Sequence, residues 1–234
     1  MTPVDEHPHR TPFWTWEDAV IFAGLYLPTL LFAVLIFKPV PLPNKAAQTL
    51  IPQFVSYAVW FGAMYAILKT RYDRPVLQAL GWYMPRRGMR WALLGGPALA
   101  FAVAFLGVAL KTPQIEMPIK DWLTDPKSLV LTAVFAVTLA PVCEEIAFRG
   151  FLQPLVARSL GAVPSIVLTA VPFALLHGPQ NQWSWQHILL LVLVGSVFGW
   201  TRHATGSTAA SSLLHATYNL TQLVAYLAGQ SGKL

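Results

Sequence analysis

Residues 128–152 read SLVLTAVFAVTLAPVCEEIAFRGFL. The apolar run from Leu129 to Ala140 leads straight into Glu144, Glu145 and Arg149, and Phe148, Phe151 and Leu152 close around them. Such a run has the length and composition of a helix that crosses a bilayer. An ionisable side chain near the bilayer centre costs roughly 2.5–3.5 kcal/mol on the insertion scale, so three of them in one span imply a use. Their partners are to be sought on other apolar segments, where His177, His215 and Asn219 stand out.

Working outward, the whole chain has the same character. Of its 234 residues 55% are hydrophobic and 11% charged, with nine Trp, which is far from the balance of a soluble domain. Apolar stretches at roughly 17–37, 50–68, 91–110, 128–157, 162–180, 187–201 and 207–228 follow one another with short basic or Pro-rich loops between them. The expected fold is all-α: a polytopic membrane bundle of about seven transmembrane helices, six to eight, the stretch near 187 being the short one. Residues 1–13, polar and holding Pro3, Pro8 and Pro12, are expected to form a tail, and 14–234 a single transmembrane domain. Thr15 and Asp18 have capping-box spacing ahead of the first span, which is too long for a signal peptide and stays as an anchor.

The net charge of +6 does not imply nucleic acid, because the basic residues cluster in loops beside hydrophobic spans, where they set orientation and meet anionic lipid headgroups. The loop from Lys69 to Arg90 carries Lys69, Arg71, Arg74, Arg86, Arg87 and Arg90 against Asp73 alone. It is expected in the cytoplasm, with the N-terminus on the same side. Trp14, Trp16, Trp82, Trp91, Trp122, Trp183, Trp185 and Trp200 lie near span ends, as an aromatic belt requires. A multi-pass protein of the bacterial cytoplasmic membrane is the expected setting. Cys143, the sole cysteine, excludes an internal disulfide and a zinc site built on cysteines.

The polar residues sort by helical spacing. Glu145 and Arg149, four apart, stack on one face and can pair, while Glu144 points about 100° away and is free to act elsewhere. A carboxylate in an apolar cavity suits proton abstraction, which makes Glu144 the candidate general base. Phe173 and His177 are also four apart, as are His215 and Asn219. Counted back and forward from the turn near Gly161, Glu144 and His177 lie roughly 22 and 25 Å along their helices, at matching depth. A lone intramembrane His or Asn is ordinarily a helix-to-helix hydrogen bond, but the conjunction on three helices points to one site.

Together these residues resemble the CPBP family of CAAX proteases and bacteriocin-processing enzymes, intramembrane endopeptidases related to the type II CAAX prenyl protease. Its EExxxR pattern falls on Glu144, Glu145 and Arg149, its FxxxH on Phe173 and His177, and its HxxxN on His215 and Asn219, within about residues 128–222. Leu80-Gly81-Trp82 is a weaker likeness, and Gly195, Gly199 and Gly206 stand where the family tends to have small residues. The resemblance implies hydrolysis of a peptide bond in a membrane-associated protein or peptide. Glu144 and His177 would activate water, His215 and Asn219 would form an oxyanion hole, and Glu145, Arg149 and Phe173 would support them. No cofactor is expected. Zinc on Glu144, His177 and His215 is the second reading, since no HExxH is present and metal ligation would take Glu144 from its role as base. Cys143, beside two carboxylates, is expected to be a small structural residue rather than a nucleophile. The rival functions are a non-catalytic scaffold or immunity factor and a small proton-coupled transporter using the same polar cluster.

Overall fold

A computed structural model describes residues 12–85, 88–115, 122 and 125–231. It is helical, with no strand among the described residues. The order is α1 (Trp16–Phe37), α2 (Lys45–Tyr72), the single turn α3 (Val76–Ala79), α4 (Met89–Ala109), α5 (Pro126–Leu160), α6 (Ala162–Leu176), α7 (Trp185–Thr205) and α8 (Thr208–Ser231). Seven of these follow the seven expected spans, and α3 sits in the basic loop. Five, namely α1, α2, α4, α5 and α7, are long and apolar enough to cross a membrane. The outward faces of α1 and α4 carry Leu27, Leu94, Phe101, Phe105 and Val108 at about 70–80% exposure, a surface that water does not tolerate. The protein is an integral membrane helical bundle.

Local chemistry sets the ends. Thr15 N–H donates to Asp18 Oδ2 at 2.8 Å in the expected capping box. Asp18 is also bound by Arg71 Nη1 at 2.5 Å and the Tyr72 hydroxyl at 2.6 Å, which ties the start of α1 to the end of α2. Asn44 caps α2 and Asp125 caps α5 ahead of Pro126. Gly161 and Gly206 close α5 and α7 with φ of 85° and 69°.

Two expectations are corrected. The short helix is α6, not the one near 187: α7 runs the full 21 residues, whereas α6 stops at Leu176 because His177-Gly178-Pro179 ends it in a 3-10 turn, Pro179–Asn181. His177 is therefore the cap residue of α6 rather than a mid-helix residue. Trp14 does not belong to an aromatic belt. It is fully buried, stacks on Phe151 at 5.2 Å and donates its indole N–H to the Phe151 carbonyl at 3.0 Å. Trp16, Trp91, Trp183, Trp185 and Trp200 are exposed, as a belt requires. Residues 1–11 of the expected tail, with Arg10, lie outside the described residues, as do Arg86, Arg87 and Lys120; Pro12 is buried, and its carbonyl accepts from Arg158 Nη1 at 3.1 Å.

The central helix is α5. Phe148 on one side packs into a core of α4, α6, α7 and α8 residues that includes Phe173, Phe198 and Tyr218. Phe151 and Leu155 on another side pack into a second core with Trp14, Phe22, Met64 and Leu68. Covered on both flanks, α5 can keep charged groups away from lipid. Helix α4 packs closely against α8 at Gly96. A Cβ on Gly96 would lie 2.5 Å from Tyr218 N and 2.7 Å from Leu214 O, and would overlap Thr217 Oγ1. Gly96→Ala is expected to force the two backbones apart at a cost of about 1–3 kcal/mol or more. A thermal melt in detergent checks this, Gly62→Ala in open space serving as the unaffected control.

Candidate active site

Two π-helical segments, Phe135–Leu139 and Ile146–Leu152, bracket Ala140–Glu145 within α5. Such bulges shift side-chain direction and loosen the backbone hydrogen-bond ladder, and they recur at functional sites. Here they flank Glu144 and Glu145. The first also leaves the Ala136 carbonyl to accept from Asn219 Nδ2 at 2.8 Å, which seats α8 against α5.

Glu145 and Arg149 are both fully buried and paired, Nη1 donating to Oε1 at 2.9 Å. Each is satisfied further, as buried charges must be. Ser211 Oγ donates to Glu145 Oε2 at 2.6 Å, and His215 Nδ1 lies 3.1 Å from Oε1. Arg149 Nη2 donates to the Gly195 carbonyl at 2.8 Å, and its guanidinium lies 4.5 Å above the Phe173 ring and 5.3 Å from that of Phe198. One turn on, Gln153 Nε2 donates to the Gly199 carbonyl at 2.9 Å. Gly195 and Gly199 thus form a strip on α7 that receives a polar ladder from α5. A Cβ on Gly195 would come within 3.0 Å of Arg149 Nη2, and one on Gly199 within 3.1 Å of Gln153 Oε1. Their smallness leaves room for the Arg149 and Gln153 side chains.

Glu144 faces the other way, as its helical angle implies. Its Oε2 lies 4.0 Å from His177 Nε2 and 3.9 Å from His215 Nε2. The side chains of Glu144 and His177 are 21% and 24% exposed, whereas that of His215 is 5% exposed. The ring orientations are fixed from behind. The Phe173 carbonyl, 2.8 Å away, can only accept, so His177 Nδ1 carries the proton. Glu145 likewise takes the Nδ1 proton of His215. Both Nε2 atoms are thereby turned toward Glu144.

The structure thus brings together Glu144, Glu145, Arg149, Phe173, His177, His215 and Asn219, as their spacing implies. Phe198 and Ser211 also belong to the site. Phe198 stacks on His215 at 4.4 Å, and Ser211 bonds Glu145. Ser211, His215 and Asn219 recur every four residues, a signal present in the sequence; nothing in the sequence singles out Phe198. Cys143 lines a cavity but forms no part of the Glu144 constellation.

Two cavities meet here. One, of about 280 Å³, lies between α7 and α8 and is lined by Glu144, His177, His215, Asn219, Tyr218 and Gln222 among others. The other, of about 600 Å³, is walled by aromatic residues of α1 and α2, including Phe22, Tyr26, Tyr57 and Trp60. Glu144, His177 and Gln180 line both. The Glu144, His177 and His215 donor set is of a kind zinc accepts, but ligands at zinc distances in a tetrahedron stand about 3.3 Å apart, less than the separations here. Among the described residues no group of three His, Cys, Asp or Glu is spaced to hold an ion.

Residues 126–221 match the family model described as type II CAAX prenyl endopeptidase Rce1-like. No curated protein and no solved structure matches the chain. The matched segment begins at the first turn of α5, ends within α8 and contains every residue of the cluster around Glu144. Over that segment the chain is similar to the type II CAAX prenyl endopeptidase family.

Proposed function

We propose that this membrane protein, in a bacterial cytoplasmic membrane, hydrolyses a peptide bond in a membrane-associated protein or peptide, with Glu144 as general base. The observation that carries the reading is the position of Glu144 Oε2, 3.9–4.0 Å from two imidazole Nε2 atoms where two cavities join. A gap of that size accommodates a bridging water, which would donate one hydrogen to Glu144 Oε2 and the other to the bare Nε2 of His177. As the water oxygen bonds to the scissile carbonyl carbon, its proton passes to Glu144 and the carbonyl electron pair moves to oxygen. Glu144 then returns the proton to the leaving nitrogen as the C–N bond breaks.

The oxyanion needs donors in place beforehand. Asn219 spends one amide hydrogen on the Ala136 carbonyl and keeps a second for substrate. His215 Nδ1–H is committed to Glu145, so donation from Nε2 requires the imidazolium form. In this reading the step proceeds without a metal ion, zinc on Glu144, His177 and His215 being the second reading that a chelator separates from it. Asn219→Ala is expected to lower kcat by about 10²–10³-fold with little change in KM, the signature of an interaction made in the transition state. Steady-state kinetics on a reconstituted substrate check it, and a rise in KM at constant kcat would move Asn219 to substrate binding.

A further inference from the structure

Among the described residues, Glu144, His177 and Gln180 line both of the cavities that join at the site. The first two handle the water in the reading above, and Gln180 has no part in it. It follows His177 in the 3-10 turn Pro179–Asn181. Its side chain is exposed and makes no hydrogen bond among the described residues.

The backbone that carries Gln180 is fixed without help from its side chain. Asn181 Nδ2 donates to the His177 carbonyl at 2.8 Å, and the N–H groups of Asn181 and Trp183 donate to the Gly178 carbonyl at 3.1 and 2.9 Å. Gln182 and Trp183 take left-handed φ of 48° and 55°, which folds the chain back over Gly178. A Cβ on Gly178 would overlap the Trp183 ring. The turn is closed, and the Gln180 carboxamide is left over. Of the other carboxamides in the two linings, Asn219 and Gln222 already donate to the Ala136 carbonyl and the Tyr218 hydroxyl, and Gln53 borders the larger cavity only.

A peptide bond inside a bilayer is open to attack only where the substrate chain has unwound. Each unwound residue brings into an apolar site an N–H and a C=O that have lost their helical partners. A carboxamide answers both with one acceptor oxygen and two donor hydrogens, and it adds no charge beside Glu144.

We propose that Gln180 holds the substrate extended across the junction of the two cavities, its carboxamide oxygen accepting the N–H of a peptide unit that flanks the scissile bond. The assignment rests on the protease reading. It makes Gln180 a substrate-positioning residue with no share in moving the proton.

The probe is a fluorescence-quenched peptide spanning a terminus that wild type generates in cells, offered to the purified full-length protein in detergent. Gln180→Met keeps the length of the side chain and removes its hydrogen bonds. It is expected to raise KM about five- to tenfold, with kcat within about twofold, the effect of one hydrogen bond made equally in the ground and transition states. Its melting temperature should equal that of wild type, since the side chain is exposed. An ester in place of one of the two flanking peptide units deletes the N–H from the substrate instead. One of the two esters should raise KM for wild type by a similar factor and leave KM for Gln180→Met where it was. A wild-type KM in Gln180→Met, a loss confined to kcat, or ester effects that add in full to that of Gln180→Met would overturn the assignment while cleavage by wild type keeps the protease reading. Absence of cleavage by wild type would sink that reading, and the assignment with it.

Discussion

Glu144→Gln should remove peptide-bond cleavage while leaving the bundle intact. The side chain makes no hydrogen bond within 3.5 Å among the described residues, and the two Nε2 atoms lie 3.9 and 4.0 Å from its Oε2. A neutral isostere therefore costs little in packing and removes the proton acceptor. A positioned general base contributes typically about 10²–10⁴-fold, and loss of water activation at the same atom places the effect at the upper end of that range. Helix content and melting temperature in detergent should stay at wild-type values. His177→Ala tests the same water from its other side. Its Nδ1 bond to the Phe173 carbonyl is local to the end of α6, so the fold should again survive the loss of activity.

Arg149→Met should do the opposite and fail in the fold. It strands Glu145 as a fully buried carboxylate and removes the donor to the Gly195 carbonyl. Breaking a buried pair on one side costs about 3–5 kcal/mol, a large part of the stability of a small domain. The guanidinium also sits among the rings of Phe148, Phe173 and Phe198, so its loss leaves space as well as charge. Removing both charges in Glu145→Gln/Arg149→Met should recover much of the melting temperature lost by the single variant. It should not recover activity, because Glu145 orients His215. A double-mutant cycle on thermal melts separates these terms. If Arg149→Met melts like wild type, Arg149 is not what holds α5 against α7.

Much of this site was legible from spacing. Intervals of four put Glu145 under Arg149, Phe173 under His177 and His215 under Asn219, and the adjacency of the glutamates sends one to Arg149 and the other to His177, with the two nitrogens of His215 shared between them. The side chain of Asp18 was legible as a cap but not as the anchor of Arg71 and Tyr72, which come from the far end of α2. The π segments were not legible, because an apolar run such as Phe135 to Leu139 has no residue that distinguishes a wider turn from an α-turn. Trp14 was misread for a related reason: at the end of a span an indole suits either an interface or a core, and only the Phe151 carbonyl decides. The stop of α6 was present as Gly178-Pro179 and was overridden by the apolar run before it. The roles of Gly195 and Gly199 depend on which carbonyls they expose to α5, a tertiary fact beyond any spacing rule.

The central claim is that Glu144 activates water for peptide-bond hydrolysis in the membrane. The direct measurement is mass spectrometry of membrane-protein termini in cells carrying wild type or Glu144→Gln, repeated on purified proteins with and without a chelator. The expected result is a set of termini present with wild type, absent with the variant and unaffected by the chelator. Identical termini from a variant shown to be folded would contradict the claim, and loss of wild-type cleavage on chelation would replace the metal-free mechanism with one that requires an ion.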